Sequence, residues 1–398
     1  MSDVTEQYDA FPYPERDPGD EKKRLITGSP SHPLEIDHFL FAGQRDWSVP
    51  FRVLVAGGGT GDALIQLAQV LTSAGKPYEI TYLDLSAAAR DVAERRAGAR
   101  GLTGITFHTG SLLEAAAYGP FDYIDCCGVL HHLPAPQSGF DALGAALADG
   151  GGIGLLVYAP YGRAGVYPLQ EAFGGLLQGS PRERLRQAKA IYARLPGGHP
   201  FKRNPHLGDH NQSDAGFYDL LLHSQDRPYT IRELVETLAA AGLELVGSPQ
   251  AYLYDPAPML RDPGLLVGMD DLTRMELAEK LRGTIKSHIL YAAHNRAGRV
   301  ARPVPQAVPH LKGVTGAKLA GVIAKKGVLP VTLPDEKIEL PVSAMAAGCL
   351  RHVNGRANLS EIGQAAGLDP IAFSSVWAPV SEDLTRFGLM YYSRLLSG

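Results

Sequence analysis

Cysteine is scarce in this chain, and the three that occur, Cys126, Cys127 and Cys349, form no disulfide framework and no zinc-ligand spacing. Vicinal Cys126 and Cys127 are poor disulfide partners, so reduced thiols and no metal site are expected. Long apolar runs are missing as well: nothing approaches the roughly eighteen consecutive apolar residues that read as a membrane span. The opening stretch MSDVTEQYDAFPYPERD is polar and acidic, without the basic flank and apolar core of a secretory signal, and a cytoplasmic location is expected. Net charge is small, −4, which gives no general electrostatic reason to bind a phosphate polymer. What remains is a composition typical of soluble globular proteins, 45% hydrophobic and 20% charged, over 398 residues, enough for two or more folding units.

Punctuation by Pro and Gly divides the chain. Residues 1–48 mix Pro, Tyr and charge and read as an arm or lid, with a short helix near LEIDHFLFAG. From residue 51 onward, apolar runs such as FRVLVAG, YEITYLDLS, ITFHTGSLL, FDYIDCCGVL and GIGLLVYAP alternate with amphipathic, Ala-rich stretches. That alternation predicts right-handed β-α-β units and a parallel sheet, an α/β fold. Residues 160–228 break the rhythm and read as an insertion. It resumes at TIRELVETLAAAGLELVG, where Thr230 and Glu233 form a capping box, and ends with SHILYAAH after a helical insert at 256–284. A linker is expected at 297–312, and residues 313–398 carry the helix, turn, helix, helix and strand order of a winged helix.

Four glycines in five positions, within VAGGGTGDA, follow the first apolar run. A turn after the first strand of a nucleotide-binding α/β fold needs Gly where φ is positive or where ligand presses on backbone, and Gly57, Gly59 and Gly61 suit those needs. About twenty residues on, the second strand ends at Asp84, where a carboxylate accepts hydrogen bonds from ribose hydroxyls. The dinucleotide spacing G-x-G-x-x-G fails, because its sixth position is Asp62 or Leu64.

The pattern G-x-G-x-G, with VLVAGGGTGD, YLDLS, HTGSLLE and FDYIDCCGVLHHL in that order, resembles the class I, seven-stranded S-adenosylmethionine-dependent methyltransferases over roughly residues 50–296. The resemblance implies a doubly wound, mostly parallel seven-stranded sheet with helices on both faces, and S-adenosylmethionine as cofactor. It implies that Gly57, Gly59 and Gly61 surround the methionine part, that Asp84 holds the ribose, that Ser111 and Leu112 lie beside the adenine, and that Cys127, Gly128 and Val129 wall the sulfonium. Where the family commonly has an acidic residue at the end of the first strand this chain has Val55 and Ala56, and beside the adenine it has Ser111 instead of Asp. The YDAFPYP and SHPLE segments and the tail resemble bacterial members with a C-terminal regulatory-type domain.

Displacement at a sulfonium depends chiefly on aligning the acceptor, with a base required only if the acceptor loses a proton. His131 and His132, at the C-terminal edge of the fourth strand, are base or substrate-contact candidates, or else they shape the loop before Pro134. Tyr161, with Tyr158 and Arg163, lies at the exit of the fifth strand, where aromatics could exclude water and Arg163 could meet an anion. Asp209, His210, Asp219, His223 and Asp226 lack compact ligand spacing, and Asp226 with Arg227 reads as a pair ordering the next helix. Tyr8, Phe11 and Tyr13 either close over the ligand or strap the arm to the sheet.

The stretch NLSEIGQAAGLDPIAFSSVW has Glu361 and Asp369 but no Lys or Arg, so dimerisation or substrate presentation is expected of the tail rather than nucleic-acid binding. The expected activity is methyl transfer to an O, N or C acceptor on a small molecule or a protein or peptide. The alternatives are an NAD- or NADP-dependent oxidoreductase and a non-catalytic cofactor sensor.

Overall fold

The computed structural model describes residues 3–333 and 336–396. Met1, Ser2, Pro334, Asp335, Ser397 and Gly398, which fall in the expected arm and C-terminal domain, lie outside the described residues.

Seven strands form the central sheet: β1 (Phe51–Ala56), β2 (Tyr78–Asp84), β3 (Ile105–Thr109), β4 (Phe121–Cys127), β5 (Leu147–Tyr158), β6 (Glu244–Gly247) and β7 (Ser287–Ala293). Their order is β3-β2-β1-β4-β5-β7-β6, and β7 runs antiparallel to both neighbours. Period-two alternation sends side chains to both faces, and both are buried. Phe51, Val53 and Val55 join Tyr82 and Tyr123 on one face, while Leu54 and Ala56 join Ile124, Cys126, Leu155 and Val157 on the other. The expected α/β sheet is present. The strand that contains GIGLLVY begins at Leu147 and takes in LADGG as well. Pairing with β4 from Leu147 onward outweighs the weak helical preference of that Gly-rich segment.

Helix α1 (Asp3–Ala10) opens the arm, and α2 (Pro33–Leu40) packs on the β1 face with α3 (Asp62–Ser73) and α4 (Ala87–Ala99). Helix α5 (Pro136–Ala145) covers the opposite face. The 160–228 insertion is a helical unit, α6 (Val166–Leu176), α7 (Pro181–Arg194) and α8 (Asp214–Leu222), with its own core of Val166, Phe173, Phe201, Phe217 and Leu221. Helix α9 (Ile231–Ala240) starts at the capping box of Thr230 and Glu233 and packs beside α5; α10 (Asp271–Arg282) follows in the second insert.

Between α1 and α2 the chain crosses the glycine turn. Thr60 Oγ1 donates to the Pro14 carbonyl at 2.6 Å, and Arg16 Nε and Nη2 grip Asp62 at 2.9 and 2.6 Å. Glu21 is buried against Arg96 and Arg100 of the α4 region.

Beyond residue 300 come β8 (Pro309–Leu311), α11 (Gly316–Lys326), the antiparallel pair β9 (Val328–Thr332) and β10 (Lys337–Pro341), then α12 (Ala344–Leu350), α13 (Leu359–Ala365), α14 (Pro370–Arg386) and β11 (Met390–Tyr392). The expected helix-helix-helix-strand order is there, but the two-stranded hairpin precedes it, and β11 pairs with β8. Asp37 ties this tail to the arm side of the sheet, accepting from Ser393 Oγ at 2.6 Å and Arg394 N at 3.0 Å. No helix among the described residues is long and apolar enough to cross a membrane.

Candidate functional site

The turn after β1 is built from bare backbone for two separate reasons. Gly57 has φ +67°, and a Cβ there would stand 2.4 Å from Val129 Cγ2; Gly59 has φ +51°, and a Cβ there would meet the Tyr13 carbonyl oxygen of the arm at 2.9 Å. Gly61 serves elsewhere. It is the left-handed residue before α3, packed against Ala93, and it does not line the cavity.

That cavity, about 280 Å³, opens at the C-terminal ends of β1, β2 and β4. It gathers Gly57, Gly59, Asp84, Ser111, Leu112, Cys127, Gly128, Val129 and His132 of the expected site. Asp84 is fixed by backbone, with Oδ2 accepting from Gly59 N–H and Oδ1 from Ser86 N–H, both at 2.8 Å. Burial raises its carboxyl above the usual range, while those two donors draw it back. Each oxygen keeps a further lone pair for a ligand.

Four carboxylates line the cavity, Asp62, Asp84, Asp125 and Asp219, and no Lys or Arg is among the lining residues. Asp62 is already engaged: burial would raise its carboxyl, but hydrogen bonds from Arg16 and Arg96 bring it below the usual value. Asp125 and Asp219 are 1% and 3% exposed, and burial raises both carboxyls.

At the far end stand Tyr8 and Tyr13 from the arm, Tyr158 from β5, His132, and Asp219 from α8. Tyr8 Oη donates to Asp219 Oδ1 at 3.1 Å and Tyr158 Oη to Asp219 Oδ2 at 3.3 Å. Burial and the Asp219 charge push both phenols well above their ordinary value. The backbone of Gln225 sets two histidine tautomers in opposite senses. Its carbonyl accepts from His132 Nδ1 at 2.7 Å, which leaves the lone pair of neutral His132 on Nε2. Its N–H donates to His223 Nδ1 at 3.1 Å, so neutral His223 carries its proton on Nε2, 3.2 Å from Tyr8 Oη. The imidazoles stack at 3.7 Å, and burial, with the Arg163 charge nearby, holds His223 well below the usual histidine value. A ring nitrogen of each and an Asp219 oxygen lie within 4.8 Å of one another, yet the parallel stacking and the His223 Nε2 proton are not the splayed lone pairs that a metal requires.

Besides Gly61, the expected participants Phe11, His131, Tyr161 and Arg163 lie outside the cavity lining. His131 is 1% exposed, its ring 4.0 Å from that of Tyr158, with both ring nitrogens unpartnered. Tyr161 occupies a short turn beyond β5 and does not reach the cavity. Arg163 does not wait for an anion: it is buried, pairs with Asp226 at 3.0 Å and lies 3.6 Å over the Tyr158 ring. Asp226 therefore pairs with Arg163 rather than Arg227, which reaches Glu233 instead. The sequence pattern missed Asp125, whose only signal is a carboxylate between the apolar Ile124 and Cys126 of β4. It also missed Asp219 as part of this cavity.

Residues 54–153 match the family described as the methyltransferase domain. An uncharacterized protein of Synechococcus sp. is 37% identical over 213 residues, covering 52% of this chain and 50% of that protein. The tRNA 5-carboxymethoxyuridine methyltransferase of Escherichia coli is 28% identical over 148 residues, 36% of this chain and 54% of that enzyme. The chain thus spans about half the length of these curated relatives. Among solved structures, PKMT2 from Rickettsia typhi in complex with AdoHcy shares the fold, with a TM-score of 0.62 at 14% identity over 93% of this chain and 77% of that one.

Proposed function

We propose that this chain, whose residues 54–153 belong to the S-adenosylmethionine-dependent methyltransferases of the seven-stranded class, transfers a methyl group to an amine nitrogen on a small molecule or a protein side chain. The observation that carries the reading is the charge of the cavity: beside Asp62, whose charge Arg16 and Arg96 answer, the lining carboxylates Asp84, Asp125 and Asp219 form no ion pair among the described residues, and no Lys or Arg lines the cavity. A dinucleotide pyrophosphate would be repelled there, whereas a cofactor with a sulfonium and an ammonium group is attracted.

The residues present fit that cofactor. Gly57 and Gly59 leave backbone bare where side chains would collide, Asp84 offers lone pairs to a ribose, and Leu85, Ala89 and Leu112 give an apolar slot beside Ser111 for adenine. S-adenosylmethionine supplies an electrophilic methyl on a positively charged sulfur, open to in-line displacement. Tyr8, Tyr13 and Tyr158 restrict water and position the acceptor. His132 Nε2, with its lone pair, takes the proton that an amine must lose. Asp219 faces the positive charge that develops on nitrogen as it attacks, and phenol rings beside a carboxylate favour such a cation. A hydroxyl acceptor also gives up a proton but ends as a neutral ether, so it would leave the Asp219 carboxylate without a cation to face. The arm acts as a lid by carrying Tyr8 and Tyr13 to the site.

The test is incubation with methyl-labelled S-adenosylmethionine and matched panels of amines, alcohols and carboxylic acids, together with a cell extract resolved into protein and small-molecule fractions. Label in the amines or on protein amino groups is expected. Label confined to alcohols or carboxylates would overturn the amine assignment.

A further inference from the structure

Asp125 lies inside β4 between buried Ile124 and Cys126, and its register partner on β1 is Val55. Both residues line the cavity. The Asp125 carboxylate is 1% exposed, accepts from Tyr123 Oη at 3.1 Å, and is further hydrogen-bonded by the side chains of Ser31 and Cys127. These are all neutral partners. Among the described residues no Lys, Arg or His forms an ion pair with it, in contrast to Asp62 and Asp226, whose guanidinium partners are close.

A buried carboxylate held only by neutral donors is costly in its charged form, and the cost is offset when a cation enters beside it. The other cavity carboxylates already have roles: Asp62 clamps the arm, Asp84 is set for a ribose, and Asp219 belongs to the tyrosine end. Asp125 is left for the remaining cationic part of the ligand. Of the two cationic groups on S-adenosylmethionine, only the α-ammonium carries N–H donors, and a carboxylate already fixed by directional hydrogen bonds suits a donor better than a sulfonium.

We infer that Asp125 is the anion that binds the α-ammonium group of the cofactor, supplied from β4 at the level where β1 offers only Val55. This rests on the cofactor reading above. The role is one of binding and positioning, since the carboxylate holds the methionine end and so sets the direction in which the sulfonium faces the tyrosine end.

The experiment titrates the full-length protein and its Asp125→Asn variant calorimetrically with S-adenosylmethionine, S-adenosylhomocysteine and 5′-methylthioadenosine, which keeps adenine, ribose and sulfur but has no amino-acid part. Asn retains an oxygen for the Tyr123 hydroxyl, and a thermal melt checks that the variant is folded. The expected result is a loss of about ten-fold or more for the first two ligands alike, as for a charge-assisted hydrogen bond, with 5′-methylthioadenosine unchanged. An unchanged affinity for the first two, or an equal loss for all three, would overturn the inference. A loss confined to S-adenosylmethionine would also overturn it, by moving Asp125 to the sulfonium. If the unaltered protein binds none of the three, the cofactor reading itself has failed, an outcome separate from these.

Discussion

Arg16 of the arm and Asp62, the first residue of α3, form a two-pronged ion pair across the glycine turn, with Nε to Oδ1 at 2.9 Å and Nη2 to Oδ2 at 2.6 Å. The pair fixes the arm where its Tyr13 carbonyl crosses Gly59, so the segment that closes the cavity is held by charge as well as by packing.

The clamp should therefore depend on pH. The Asp62 carboxyl titrates below its ordinary value in the folded chain, so its contribution is complete above the ordinary carboxylate range and is lost as pH falls through the depressed value. Hydrogen exchange of backbone amides in residues 11–24 should quicken at acid pH relative to those of α3. Arg16→Ala should produce the same quickening at neutral pH, equivalent to about 1–2 kcal/mol for a half-buried charged pair. Equal protection in the variant and the parent would refute the clamp.

Asp84→Ala removes an acceptor fixed by two backbone donors. Cofactor affinity is expected to fall by about 1.5–3 kcal/mol, the range for hydrogen bonds to a charged group. Calorimetric titration measures it directly, and an unaltered dissociation constant would remove Asp84 from the ribose site.

His132→Ala should lower kcat by roughly 10²–10⁴ while leaving cofactor affinity nearly intact, as expected of a lone pair whose task is proton transfer. Comparing turnover with titration separates the two effects. If both fall together, His132 is shaping the cavity rather than acting on the acceptor.

His131 and His223 are buried and held well below the usual histidine value, each chiefly by desolvation. The unfolded chain takes up protons that these rings refuse, so stability should decline as pH drops below about 6.5, by about 1.4 kcal/mol per pH unit for each ring until the folded ring titrates. His131→Phe, which also removes two unpartnered ring nitrogens, should flatten part of that slope and raise stability at pH 6. Denaturation midpoints between pH 5 and 7 provide the check, and an unaltered slope would place the acid sensitivity elsewhere.

Asp37 accepts from Arg45 N, Trp47 Nε1, Ser393 Oγ and Arg394 N. Asp37→Ala leaves buried donors without an acceptor and should cost more than about 3 kcal/mol. Urea denaturation followed by Trp fluorescence would show it. A loss under about 1 kcal/mol would mean that the tail is held chiefly by its other contacts, such as Tyr392 N–H to His38 and the Arg386–Asp255 pair.

What could be read from the sequence was what lies close together along it. Gly57 and Gly59 follow a strand, Asp84 ends the next, and Cys127 to Val129 end another, so strand ends announce the cavity lining. Gly61 fitted the same pattern and sits at a helix start, because spacing alone does not separate a glycine that lines the cavity from one packed on Ala93. The tyrosine end of the cavity was obscured because its contacts span long separations: Tyr8 meets Asp219 across 211 residues, and Tyr158 meets it across 61. Arg163 and Asp226 neutralise each other across 63 residues, which no local pattern reveals. Asp125 was hidden by its strand, whose apolar neighbours mark it as core.

The central claim is the identity of the ligand in the carboxylate-lined cavity, and the most direct measurement is calorimetric titration of the full-length protein with S-adenosylmethionine, S-adenosylhomocysteine, NAD and NADP under one buffer. Saturable binding of the first two with none of the last two is the expected result. Binding of a nicotinamide dinucleotide in preference to S-adenosylmethionine would contradict it, because four carboxylates without a lining Lys or Arg would then be holding a pyrophosphate.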